Sequence, residues 1–140
     1  MLFRSKIYIF GGCTGTESSD KLFAIDLPTL TCEEVETIPF DYDIKNNPCA
    51  RDEHSASVYE KYMFVFGGYV DCEVTNSFFR FDLNFKMWRM ISSIKYLLEK
   101  VPGPRAGHTT IVAKDFMYLF GGKDGQNNRL NDLWRFNCRF

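Results

Sequence analysis

Histidine is nearly absent from this chain: 140 residues contain two, His54 and His108. That shortage leaves almost no material for a Ser-His-Asp arrangement or an imidazole-rich metal site. The five cysteines, Cys13, Cys32, Cys49, Cys72 and Cys138, are odd in number and include no C-x-x-C pair. Zinc needs clustered thiolates and a disulfide framework needs an even set, so reduced thiols in a cytoplasmic setting are expected. Excess charge is missing too, with 17 basic against 18 acidic residues and a net charge of -1. Such a balance provides no field to gather nucleic acid or an anionic membrane surface. No apolar run approaches the roughly 18 residues of a membrane span. Residues 1–6 pass too quickly into a strand-like run to read as a signal peptide.

Aromatics are abundant instead, at 16% with fourteen Phe and seven Tyr, while overall hydrophobic content is an ordinary 45%. Much of this material sits in three copies of one stretch: Ile7-Tyr8-Ile9-Phe10-Gly11-Gly12, Met63-Phe64-Val65-Phe66-Gly67-Gly68 and Met117-Tyr118-Leu119-Phe120-Gly121-Gly122. A continuous apolar run closed by a glycine pair reads as a strand buried on both faces that ends in a tight turn. The first glycines are 56 and then 54 residues apart. A period of this length is the signature of stacked repeat units.

Aligned on the glycine pairs, each unit continues alike. A polar loop follows (13–19, 69–75, 123–130), then an alternating strand that closes on Asp26, Asp82 or Asn137, where an Asx side chain can start a turn. A fourth strand appears twice, with Cys32 standing 56 residues before Trp88. Ahead of the second and third glycine-ended strands, Arg51-x-x-His54 and Arg105-x-x-His108 each lead into small or β-branched residues suited to a crowded innermost strand. Strands therefore number three, four and three in the three units, with little room for an innermost strand in the first. The units fall at about 1–38, 51–92 and 105–140. The linkers between them are 39–50 and 93–104, and the apolar stretch at 92–101 fits a helical turn or an extra strand equally.

The glycine-ended aromatic strand, the Tyr/Phe-x-Phe/Ile-Asp strand, Trp88 and the Pro104-Arg105-x-x-His108 lead-in resemble the kelch repeat over nearly the whole chain. The resemblance implies an all-β fold: a kelch-type β-propeller fragment, three consecutive blades of antiparallel meander sheets in an open arc, the first and last incomplete. Further blades or self-association would complete the ring of roughly 4 to 8 blades that such folds close. Structural roles are expected for Gly11, Gly12, Gly67, Gly68, Gly121, Gly122, Arg51, His54, Trp88, Arg105 and His108. The two histidines recur at the blade period, so both should do one local job, tying linker to strand, rather than catalysis.

The meander puts the three polar loops and both linkers at one end. There Glu17, Asp71, Glu73, Lys123, Gln126, Asn127, Asn128 and Arg129 are candidates for binding a protein partner, because loops vary while strands fix their spacing. The resemblance implies a non-enzymatic adaptor or scaffold without a cofactor. A galactose-oxidase-like enzyme domain is the first alternative, although no Tyr/Cys constellation for its copper is identifiable. A truncated, non-functional propeller fragment is the second.

Overall fold

The computed structural model describes residues 2–38, 46–91 and 101–139. Among them the only extended elements are strands, arranged in three successive antiparallel meanders. The first sheet runs β1 (Leu2–Phe3), β2 (Lys6–Phe10), β3 (Leu22–Asp26), β4 (Thr31–Glu34) in order. In the second, β5 (Ser55–Tyr59), β6 (Tyr62–Phe66), β9 (Phe78–Asp82) and β10 (Met87–Met90) lie side by side. A small hairpin of β7 (Tyr69–Val70) and β8 (Glu73–Val74) is set between β6 and β9. The third sheet is β11 (Thr109–Ala113), β12 (Phe116–Phe120) and β13 (Leu133–Asn137). The expected blade meander is thus present, with one correction: the first unit has four strands rather than three. Its innermost strand is two residues long, pairing Leu2 with Ile7 and Phe3 with Lys6 around a turn in which Arg4 and Ser5 take positive φ. The ambiguous stretch at 92–100 lies outside the described residues.

Strand alternation decides what packs between the sheets, since successive side chains point to opposite faces. From the middle sheet, Met63, Val65, Phe79, Phe81 and Trp88 turn toward the first and meet Phe10 and Leu22 in one core. Phe64 turns the other way and joins Met117 and Cys138, with Phe78 and Phe136 against them, in a second core. Each core is a seam between neighbours rather than the interior of one sheet, so no blade is complete alone. The expectation that all three glycine-ended strands are buried on both faces therefore holds for β6 only. Strand β2 leaves Ile9 46% exposed and β12 leaves Phe120 55% exposed, because each fronts a neighbour on one side alone. The same logic accounts for Cys32. Trp88, 2% exposed, fills the first seam with its ring 5.0 Å from that of Phe10, whereas Cys32 lies exposed on the outer strand of the first sheet.

The innermost strands β5 and β11 run beside each other, as blades converging on an axis require. Ser57 and Thr110 share a hydroxyl hydrogen bond of 2.8 Å across them. Further out, the Tyr59 hydroxyl donates to Asp115 Oδ1 at 2.8 Å, bridging blades two and three. Tyr59→Phe is expected to cost about 1 kcal/mol, the net worth of one such bond. Asp115 keeps its ion pair with Arg139 at 2.9 Å, so no acceptor is stranded. Urea denaturation at unchanged slope would read the shift.

Candidate functional site

The loop end of the arc is built on two copies of one junction. In the first, Arg51 lies across two blades. Its backbone carbonyl accepts from Gly12 N–H at 2.8 Å and its N–H donates to the Ser19 carbonyl at 3.1 Å, both on blade one. Its guanidinium reaches the other way, donating to the Gly67 carbonyl at 3.1 Å and Ser77 Oγ at 2.9 Å on blade two. Arg105 repeats the arrangement one blade on. Gly68 N–H donates to its carbonyl at 2.9 Å, its own N–H donates to Thr75, and its Nη1 reaches the Gly121 carbonyl at 3.1 Å. Arg51 and Arg105 are 1% and 2% exposed, so each works as a clamp between neighbours.

Three residues later a histidine ring closes the gap. His54 packs edge-on to Phe10 and His108 edge-on to Phe66, both with centroids 5.4 Å apart. The fit explains the glycine pairs. A Cβ on Gly67 would stand 2.7 Å from the Arg105 carbonyl oxygen and 2.8 Å from His108 Cε1; one on Gly68 would stand 2.4 Å from the Asp52 carbonyl oxygen. Both glycines also hold positive φ, which side chains resist. Burial, and then the neighbouring arginine charge, push both imidazole pKa values down to about 4, only partly offset by the carbonyls of Phe10 and Phe66. A neutral ring suits wedging. It does not suit a base working near neutral pH.

On this frame the three loops stand in a row. Ser18 Oγ donates to Asp52 Oδ2 at 3.1 Å, Asp52 and Tyr69 exchange backbone bonds, and Lys123 reaches over the Tyr69 ring at 5.2 Å. Glu17, Asp71, Glu73, Gln126, Asn127, Asn128 and Arg129 are all exposed. Lys123 differs from these candidates: its Nζ lies 2.9 Å from Glu53 Oε2 and is mostly covered, so its charge already ties blade three to blade two. Within the third loop Asp124 Oδ1 accepts from the N–H groups of Gln126 and Asn128, both at 2.9 Å. Those bonds hold the Asp124 carboxyl below its ordinary pKa and give the loop a fixed shape. Asp71 and Cys72 form the two-residue turn of the β7–β8 hairpin, both with positive φ as a primed turn needs.

Elsewhere a groove of about 390 Å³ runs between blades two and three, lined by Phe66, Phe78, Met117, Leu119, Trp134 and Phe136 among others. Arg135 is its sole ionisable lining residue among those described, so it holds no acid–base pair. No group of three or more His, Cys, Asp and Glu among the described residues is placed to hold a metal.

Residues 1–139 match the family model described as the KLHDC2/KLHL20/DRC7 Kelch-repeats domain. Among curated proteins, Host cell factor 2 of Homo sapiens is 33% identical over 152 residues, covering 92% of this chain and 18% of that protein. Leucine-zipper-like transcriptional regulator 1 homolog of Drosophila melanogaster is 28% identical, covering 95% of this chain and 14% of its own length. The mouse Leucine-zipper-like transcriptional regulator 1 reaches 31% identity over 95% of this chain and 22% of the protein. The chain thus spans less than a quarter of each of these relatives.

Proposed function

The chain belongs to the kelch-repeat family, and from that premise we infer that it is a non-enzymatic interaction module that holds a protein partner on its loop end. The observation that carries this reading is the row of three loops fixed side by side by the Arg51 and Arg105 junctions. Preorganised loops lose little conformational entropy when a partner docks, so a modest set of polar contacts can give net affinity. Acidic Glu17, Asp71 and Glu73 lie on the first two loops, and Arg129 with three amide side chains on the third. That distribution suits a polypeptide whose charge changes sign along its length.

A variant carrying Glu17→Lys, Asp71→Lys, Glu73→Lys and Arg129→Glu tests the reading. Exposed substitutions away from packed features usually change stability by about 0.5 kcal/mol or less each, so the fold is expected to persist. Partners recovered by crosslinking and affinity capture with the unaltered chain should be lost from the variant. An unchanged set of captured proteins rejects the loop end as the binding face. Lys123 is left alone in this design because it ties two blades together.

A further inference from the structure

The third glycine pair lacks what the first two have. Gly12 and Gly68 N–H groups donate to Arg51 and Arg105 carbonyls, and the carbonyls of Ser19 and Thr75 accept from those same arginines. By register the third pair of groups is Gly122 N–H and the Leu130 carbonyl, and neither has such a partner among the described residues. The aromatic before each pair repeats the contrast: Phe10 and Phe66 are both 5% exposed beneath a histidine ring, whereas Phe120 is 55% exposed. Beside it on the same face Leu133 is 67% exposed and Ile111 63%. Around Gly121 the space is open, since a Cβ there would approach only the Leu130 carbonyl oxygen, at 3.3 Å.

We propose that this side of blade three is a docking site for the lead-in of a further repeat unit, an extended segment reading Arg-x-x-His. The two occupied junctions define its contents, and the third surface continues them with the same groups in the same register. The incoming arginine exchanges backbone bonds with Gly122 and Leu130, and the histidine covers Phe120 and lies against Gly121. The site is distinct from the exposed loop residues proposed above to hold a partner.

The probe is a peptide of this chain's own residues 101–113, which contain Arg105 and His108, titrated into the intact chain and followed by amide NMR. The expected result is saturable shifts of Gly121, Gly122 and Leu130, with affinity at least tenfold weaker when the peptide histidine is replaced by alanine. Gly121→Ala is the decisive variant of the chain. Its Cβ meets little within the fold, so the protein should melt close to wild type, yet it fills the space that Arg105 and His108 occupy at Gly67. Peptide shifts should vanish in that variant. The proposal is overturned by shifts confined to Gly67 and Gly68, by no shifts, or by equal binding to Gly121→Ala. It is also overturned if the chain alone dimerises with Gly121 and Gly122 shifting as concentration rises, which would make a second copy the occupant.

Discussion

Arg105→Met is expected to lower stability by about 3–5 kcal/mol, the range for breaking a buried charge pair by removing one partner. The loss is a large share of the roughly 5–15 kcal/mol that holds an ordinary domain together. The guanidinium forms a two-point pair with Asp132, Nη1 to Oδ1 at 2.7 Å and Nη2 to Oδ2 at 2.8 Å, and its Nε donates to the Gly103 carbonyl at 3.2 Å. Arg105, first among its neighbours, holds the Asp132 carboxyl far below the usual carboxylate range. Methionine refills much of the volume but leaves the Gly121 carbonyl without its donor and Asp132 without its cation. Arg51 makes the informative comparison. Its corresponding partner is the Ser77 hydroxyl, it lies 5.0 Å from the centre of the Phe79 ring, and burial pulls its own pKa down. Arg51→Met strands no carboxylate and should cost less. Urea midpoints for the two variants give the order, and a loss at Arg105 no larger than at Arg51 would mean the carboxylate pair is not what tightens the second junction.

That difference between equivalent arginines could not be read from their shared Arg-x-x-His pattern. Repetition made the blades legible, because the glycine pairs and the alternating strands impose the same local geometry each time they occur. It also marked Arg51, His54, Arg105 and His108 as residues with one common task. The pattern does not reveal that each arginine offers its backbone to one blade and its side chain to the next, since that depends on how the meanders sit together. Burial of β2 and β12 was overread for a related reason: an apolar strand looks the same whether one neighbour covers it or two. The β7–β8 hairpin turns on Asp71-Cys72, which lacks the glycine that usually announces such a turn. Lys123 read as a free loop cation because Glu53, its partner, is seventy residues away and meets it only across a seam.

The same seams make the fold sensitive to acid well above the range where ordinary carboxylates titrate. His54 and His108 have pKa values of about 4 in the folded chain against about 6.5 in an unfolded one. Their Nδ1 atoms are buried without a hydrogen-bond partner among the described residues, so an added proton is poorly solvated. Around His54 the charges are Arg51, which opposes protonation, and Asp52, which favours it; around His108 both Arg105 and His54 oppose it. With folded values below the unfolded ones, the unfolded chain binds more protons throughout pH 6.5 to 4. Stability is therefore complete above about pH 6.5 and falls as pH drops toward 4, by roughly 2–3 kcal/mol for each histidine. The slope in that window should approach 2.7 kcal/mol per pH unit, about 1.36 for each of two protons. Replacing both histidines by glutamine costs packing against Phe10 and Phe66 at every pH but should flatten this slope. Denaturant unfolding at pH 7, 6, 5 and 4.5 separates the two effects, and a double variant as acid-sensitive as the parent would assign the loss to other groups.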